Sequence, residues 1–210
     1  MGIPKFFGWF SHSEAFKVTI LNRLPRDPID GLFIDLNGII HENAAREFGY
    51  GEGVPPVEPI VTEQDYFLRR QAVYRGTFSD IVTLCELIGP TTVLMLAIDG
   101  VAPQAKINQQ RSRRYKSASV RKSDQIFDTN AITPGTEFMK ELDQYFRAEL
   151  RRVDNARSRG QNTREINALP PRIVYSSHMV PGEGEHKIAD ELRAMVANNQ
   201  TIVVHGADAD

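Results

Sequence analysis

TTVLMLAIDG, residues 91–100, is an almost unbroken apolar run that ends in an aspartate and a glycine. A run of this length without polar alternation predicts a β-strand that is buried on both faces. Strands of that kind belong to parallel sheets covered by helices. Three further runs predict strands that would join it: GLFIDLNG (31–38), RIVYSS (172–177) and TIVVHGADAD (201–210). The first strand is expected to enter a turn at Asn37 and Gly38.

The segments between these strands show helical periodicity. Thr62 and Asp65 form a capping-box pattern that opens a helix running to about residue 88. Thr133, with Pro134 behind it, predicts the start of a second helix, and a third helix is expected to be entered at the segment with Glu183 and Glu185. The apolar faces of the three helices are Ile81, Leu84, Cys85 and Ile88; Phe138, Leu142, Phe146 and Leu150; and Ile188, Leu192, Met195 and Val196.

Residues 43–59, rich in glycine and proline, are predicted to be a loop. The polar stretch 153–169 is predicted to cross the surface. Strands that alternate with helices in this way predict an α/β fold, with a mostly parallel central sheet flanked by helices.

Composition narrows the class of protein. The chain has 210 residues, 41% hydrophobic and 25% charged, with a net charge of −2. Such a balance gives no overall field that favours nucleic acid or an anionic membrane, so any such binding requires a local patch. No apolar run is long enough to span a membrane. The single cysteine, Cys85, excludes an internal disulfide framework, and we expect an intracellular protein.

Acidic residues follow every predicted strand. In an open parallel sheet, ligand sites form at the carboxyl ends of the strands. Six carboxylates are therefore expected at one edge: Asp35, Asp99, Glu183, Glu185, Asp208 and Asp210. If the Glu-Gly-Glu segment is extended, alternation would also aim Glu183 and Glu185 the same way.

Six carboxylates at one edge repel each other unless protons or cations neutralise them. Oxygen ligands without cysteine or clustered histidine favour Mg²⁺ or Mn²⁺ over zinc. For any one aspartate, a role as a helix cap or turn residue is the ordinary alternative. The set of six together predicts metal binding.

A basic segment, AKINQQRSRRYKSA (105–118), comes directly after Asp99. If it is helical, one face about 100° wide carries Lys106, Gln110, Arg113 and Arg114. Such a face could hold a phosphate, because arginine offers forked donors that match phosphate oxygens. A solvated basic helix is the alternative. If this face binds a phosphate next to the acidic edge, the arrangement indicates a nuclease that cleaves at a fixed distance from a 5′ end.

Several long motifs resemble the amino-terminal part of the 5′→3′ exoribonuclease (Xrn) family. They are MGIPKFF, DLNGIIHE, AIDGVAPQAKINQQRSRRYKSA, ITPGTEFM, HMVPGEGEHKI and GADAD, and they follow the family's order across nearly the whole chain. The resemblance implies a fold like that of PIN and flap nucleases. It also implies hydrolysis of single-stranded RNA with a 5′-monophosphate to nucleoside 5′-monophosphates, by a two-metal mechanism in RNA decay or processing.

The resemblance also implies roles for individual residues. It assigns divalent metal, two Mg²⁺ or Mn²⁺ ions, to the six carboxylates. It assigns the 5′-phosphate pocket to Lys106, Gln110, Arg113 and Arg114, and stacking on the first base to His41. Trp9 and Phe10 fall in a segment that helps to close the family's active centre, although plain core packing is an equal interpretation.

The chain departs from the family at some positions. Ser177 stands where members usually have glycine, and Met179 where many have glutamate. The family's nuclease domain continues after GADAD, so residues 1–210 are expected to be a domain incomplete at its carboxyl end, with the remaining part as a partner. Two alternatives stay open: a non-catalytic RNA-binding fragment and a flap-type DNA nuclease. Residence in the cytoplasm is favoured over the nucleus.

Overall fold

The computed structural model describes residues 27–51, 53–120, 127–195 and 200–206. In these ranges the elements follow one another in the order β1 (Gly31–Asp35), α1 (Leu36–Phe48), α2 (Glu63–Ile88), β2 (Val93–Ala97), α3 (Gln104–Val120), a 3₁₀ turn (Thr129–Ala131), α4 (Glu137–Ser158), α5 (Arg164–Ala168), β3 (Arg172–Ser176), α6 (Gly184–Met195) and β4 (Ile202–His205).

The four strands form one sheet in the order β3-β2-β1-β4, and every neighbouring pair is parallel. The predicted α/β class with a parallel sheet is therefore confirmed. The register pairs Asp35 with Ala97, and Ala97 with Ser176. The carboxyl ends of β1, β2 and β3 thus lie in one row, which places the residues that follow them at a common edge.

Alternating residues of the strands pack into two hydrophobic cores, one on each face of the sheet. Leu32, Ile34, Leu94 and Leu96 join a large cluster with α1, α2 and α4. Phe33, Val93, Met95 and Ala97 join a smaller cluster with Ile188 and Met195 of α6. All eight strand side chains are buried. Helices on both faces explain why β2 has no polar alternation.

The predicted capping box is confirmed. The Asp65 N–H donates to Thr62 Oγ1 at 3.0 Å, and the Thr62 N–H donates to Asp65 Oδ2 at 2.9 Å. Gly89 ends the helix in a left-handed conformation with φ 67°, which glycine adopts without steric cost. Cys85 and Ile81 are buried, while Leu84 and Ile88 pack against the large cluster.

The prediction of a turn at Asn37 and Gly38 is wrong, because both residues lie in α1. Asp35 ends β1 and also caps α1, accepting a hydrogen bond from the Asn37 N–H at 3.2 Å. The helix therefore begins at once, and residues 43–48 belong to it rather than to a loop. Residue 49 is its left-handed cap, so the loop is confined to the segment after it.

The boundaries of α4 also differ from the prediction. Thr136, not Thr133, is the cap, and its hydroxyl accepts from the Met139 N–H. The helix then continues through Val153 and Ala156, which are buried, to Ser158. The stretch 153–169 lies largely at the surface, as predicted, with most of its side chains exposed or half-buried. It is helical for most of its length, because α5 follows at Arg164.

The residues that the structure describes include no helix with both the length and the apolarity that a membrane crossing requires.

Candidate functional site

Gly184 lies at the centre of the acidic edge. It opens α6, and its N–H donates to Asp99 Oδ1 at 2.7 Å. A Cβ atom at this position would lie only 2.8 Å from Asp35 Oδ1. The glycine therefore lets two carboxylates from different strands approach the same helix end, where the exposed N–H groups favour negative charge.

Asp99 is held there at an energetic cost. Burial raises the pKa of its carboxyl group, and the hydrogen bond from the Gly184 N–H opposes part of that rise. The nearby Glu183 adds to the rise through like-charge repulsion. A cation that approaches Asp99 would stabilise the ionised form of its carboxyl group.

The two glutamates of the Glu-Gly-Glu segment have different environments. Glu183 precedes α6 and is 3% exposed, whereas Glu185 is inside the first turn with its side chain 54% exposed. The segment is not extended, because the helix that was predicted to be entered here begins between the two residues. Helical geometry instead brings His186, three residues after Glu183, to the same side.

His186 is a site residue that the sequence analysis missed. Its Nδ1 lies 3.5 Å from Glu183 Oε2 and 4.0 Å from Glu185 Oε1. Glu183, Glu185 and His186 each offer a ligand atom, and these atoms lie within 4.8 Å of one another. The signal was present in the sequence: a helix starting at Gly184 places residues 183 and 186 side by side.

Lys106 reaches into this cluster from α3. Its Nζ lies 2.5 Å from Glu183 Oε2 and 3.8 Å from Glu185 Oε1. Burial alone would lower the pKa of Lys106, but the hydrogen bond and the charge of Glu183, together with further contributions that include the charge of Glu185, raise it. A cation thus lies against both glutamates.

Lys187 is a second half-buried cation at the edge. Its Nζ donates to the carbonyl oxygens of Ile98 at 2.7 Å and Ser177 at 3.0 Å, just beyond β2 and β3. Burial lowers the pKa of Lys187, and the charges of Asp99 and Asp35 counteract that effect. This side chain ties together the two strand ends from which Asp99 and the Glu183 loop extend.

The other predicted phosphate ligands lie along α3. Gln110 and Arg114 are half-buried, and the guanidinium of Arg114 lies 3.4 Å from Gln110 Oε1. Arg113 is in the same helix. The predicted helix is confirmed, although Lys106 extends towards the glutamates.

His41 is exposed on α1, six residues after Asp35. This separation corresponds to about 9 Å along the helix axis. Trp9, Phe10, Asp208 and Asp210 lie outside the described residues, so their predicted roles stay predictions.

The donor set fits a divalent cation. Carboxylate oxygens from Asp35, Asp99, Glu183 and Glu185 are hard ligands of the kind that Mg²⁺ and Mn²⁺ take, and one imidazole nitrogen suits Mn²⁺. The contact of the Lys106 ammonium with both glutamates shows that this edge attracts positive charge. Among the described residues, Glu183, Glu185 and His186 bring ligand atoms close enough together for one ion, and the roles of Asp35 and Asp99 as metal ligands stay predictions.

Comparisons with known proteins agree with this geometry. Residues 1–210 match the family model described as the XRN 5'-3' exonuclease N-terminus. The chain is 32% identical over 230 residues to 5'-3' exoribonuclease 1 of Schizosaccharomyces pombe, and 33% identical over 232 residues to that of Saccharomyces cerevisiae. It is 30% identical over 229 residues to the Homo sapiens protein of the same name.

Each of these alignments covers 100% of the chain but only 16%, 14% and 12% of the respective relative. The likeness therefore concerns a small part of each of those longer proteins.

Proposed function

This chain belongs to the XRN 5′-3′ exonuclease family, and from that membership we propose that the carboxyl edge of its sheet hydrolyses single-stranded RNA from a 5′-monophosphate end. The products are nucleoside 5′-monophosphates. The observation that carries the proposal is the meeting of Asp35, Asp99 and Glu183 at the amino-terminal end of α6, next to the basic helix α3.

In this proposal the acidic edge binds two divalent ions, Mg²⁺ or Mn²⁺. Asp35, Asp99, Glu183 and Glu185 would hold them, together with Asp208 and Asp210. Bound ions of this kind activate water and stabilise the leaving oxygen of a phosphodiester. The protein's own part is to fix the carboxylates: the Gly184 N–H orients Asp99, and Lys187 holds the two strand ends together.

The basic face of α3 would hold the terminal phosphate. Lys106, Arg113 and Arg114 supply positive charge, and Gln110 supplies an amide donor. Arg114 already lies against Gln110, which orients its guanidinium along the helix. A phosphate held here would place the next phosphodiester at the acidic edge, because Lys106 is in contact with Glu183.

His41 would stack on the first base. It is exposed on α1, whose amino-terminal cap is Asp35, so one helix carries both the base contact and a metal ligand. Histidine is among the side chains on which unpaired bases stack.

The test follows the shortening of RNA that carries a fluorophore at its 3′ end and either a monophosphate or a hydroxyl at its 5′ end, with chromatography of the unlabelled nucleotides that are released. We expect Mg²⁺-dependent release of mononucleotides from the monophosphate RNA only. An RNA-binding fragment without catalysis would release none, and a flap-type nuclease would prefer flapped DNA with the same sequence. Either result would refute the proposal.

End recognition has its own test. Losing one charge-assisted contact lowers affinity about tenfold to a hundredfold. Arg114→Ala should weaken binding of 5′-monophosphate RNA by that factor and leave 5′-hydroxyl RNA nearly unchanged, measured in Ca²⁺ to prevent turnover. Arg151→Ala, which removes an exposed arginine of α4, is the matched control. Equal losses for both RNA ends would leave only a basic surface helix.

A further inference from the structure

Lys106 contacts the acidic edge and also belongs to the basic face of α3. Its position on α3 places it on the face with Gln110 and Arg114, but its ammonium lies 2.5 Å from Glu183 Oε2 and 3.8 Å from Glu185 Oε1. The side chain of Lys106 is only 20% exposed and that of Glu183 only 4% exposed. Water therefore screens this ion pair poorly, and a third charge near it would be felt strongly.

The same carboxylates are the proposed metal ligands. Mg²⁺ and Ca²⁺ bind oxygen ligands at roughly 2.0–2.6 Å. An ammonium at hydrogen-bond distance from Glu183 Oε2 and a divalent ion on the same carboxylate would lie within a few ångströms of each other. Two like charges that close in a poorly hydrated place repel strongly. Lys106 and a metal ion therefore compete for Glu183 and Glu185.

We propose that Lys106 exchanges between two anionic partners, Glu183 with Glu185 and the 5′-phosphate of RNA, so that metal binding and 5′-end recognition strengthen each other. This inference rests on the proposed function. A metal ion on the glutamates displaces the Lys106 ammonium, and the displaced ammonium then binds the terminal phosphate.

Two cations of the face, Lys106 and Arg114, are suited to different tasks. Lysine carries a compact charge on a flexible four-carbon stem, so its ammonium can move several ångströms without any change in the helix. Arg114 is planar and lies against Gln110 on the next turn of the same helix. Lys106 therefore serves as the movable cation and Arg114 as the fixed one.

Binding linkage makes the effect reciprocal: if metal raises the affinity for a 5′-phosphate, the phosphate raises the affinity for metal by the same factor. A 5′-hydroxyl offers the displaced ammonium no partner. Discrimination between the two RNA ends should therefore grow as the metal site fills.

The first arm measures the metal alone. Electron paramagnetic resonance counts free Mn²⁺ during titration of the chain without RNA. Lys106→Met keeps most of the aliphatic stem and removes the competing charge, so we expect Mn²⁺ to bind about tenfold more tightly, within the usual range of such couplings. Lys106→Arg keeps the charge and should stay near the wild-type affinity.

Lys140→Met is the matched control, because it removes one positive charge from an exposed lysine of α4 that pairs with Glu137. Its Mn²⁺ affinity should equal that of the wild type. Unchanged Mn²⁺ affinity in Lys106→Met, with a wild-type melting temperature, would overturn the exchange.

The second arm measures binding of 5′-monophosphate and 5′-hydroxyl RNA by fluorescence anisotropy at increasing Ca²⁺. In the wild type the affinity ratio between the two RNA ends should rise with Ca²⁺. In Lys106→Met the ratio should be smaller and independent of Ca²⁺. A wild-type ratio that is large but constant would overturn the exchange and leave the phosphate pocket intact. A ratio of one at every Ca²⁺ concentration would overturn the pocket itself.

Discussion

Two carboxylates at opposite ends of the sheet have pKa values that shift in opposite directions. Glu86, in the last turn of α2, lies near the amino end of β2, where a hydrogen bond from Arg164 lowers its pKa. Asp99 lies beyond the carboxyl end of the same strand, where burial raises its pKa. The first carboxylate is more stable ionised in the folded protein than in the unfolded chain, and the second is less stable.

The geometry accounts for this difference. Arg164 makes a forked contact with both oxygens of Glu86, at 2.8 and 2.7 Å, and also reaches Thr83 Oγ1 at 2.9 Å. Asp99 has a backbone N–H and a neighbouring glutamate of the same charge. The amino end of the sheet is arranged for stability, whereas the carboxyl end keeps charges that a bound cation would stabilise.

The largest expected effect is on cleavage. Glu183→Gln removes the charge of a proposed metal ligand and keeps its shape, so release of mononucleotides from 5′-monophosphate RNA in Mg²⁺ should slow by about a hundredfold or more. Glu86→Gln makes the same chemical change at the other end and should leave the rate unaltered. Similar losses in both variants would mean that the two ends do not differ in function.

A smaller effect is expected at Gly184. In Gly184→Ala the new Cβ would press on Asp35 Oδ1, and the displaced carboxylate should reduce Mn²⁺ affinity about tenfold. Gly160→Ala is the contrast: residue 160 has φ 65° and open space around it, so alanine there strains only the backbone. That variant should lose stability, about 1 kcal/mol, and bind Mn²⁺ normally. If Gly184→Ala also binds normally, the close approach has no role in metal binding.

The smallest effect is on thermal stability, and the direction of the change in melting temperature distinguishes the two ends of the sheet. A raised pKa means that ionised Asp99 destabilises the fold as pH rises through that pKa, so Asp99→Asn should melt a few degrees higher at pH 7 in EDTA. The gain should disappear at a pH low enough to protonate Asp99 in the wild type.

Glu86 should behave in the opposite way. A lowered pKa contributes stability that is present at neutral pH and is lost as pH falls through the folded-state value. Glu86→Gln should therefore melt slightly lower at pH 7, with the difference vanishing in acid. Melting temperatures of both variants and the wild type, measured in EDTA from pH 7 down to acid pH, check the two expected directions. Melting temperatures that shift in the same direction at neutral pH would contradict the comparison.

The strands and their common edge could be predicted from the sequence because each signal is local. Apolar runs identify the strands, and parallel pairing then fixes where Asp35 and Asp99 lie. Helix α1 was not predicted; a turn at Asn37 and Gly38 was expected instead, because one residue has two roles: Asp35 is the last residue of β1 and also the cap of α1.

The site's internal contacts were not predictable from local patterns. The helix that carries Lys106 was predicted, but its partner Glu183 is 77 residues further along the chain. The contact between Asp99 and Gly184 spans 85 residues. Such pairs are decided by how α6 packs on the sheet and by where α3 lies next to it in the tertiary structure, which the local sequence does not encode. A helix entry at Glu-Gly-Glu was predicted, but only the carboxylates of that segment were considered as ligands, so His186 was missed.

Location of a bound metal ion tests the central claim most directly. Fe²⁺ binds carboxylate and imidazole ligands, and with peroxide and ascorbate it generates hydroxyl radicals that cut the nearby backbone, so mass spectrometry of the fragments shows where it is bound. The metal assignment predicts cuts next to Asp35, Asp99 and Glu183, suppressed by excess Mg²⁺ and lost in Glu183→Gln. Cuts next to Glu86 and Arg164, or a pattern unchanged in Glu183→Gln, would contradict a metal site at the carboxyl edge of the sheet.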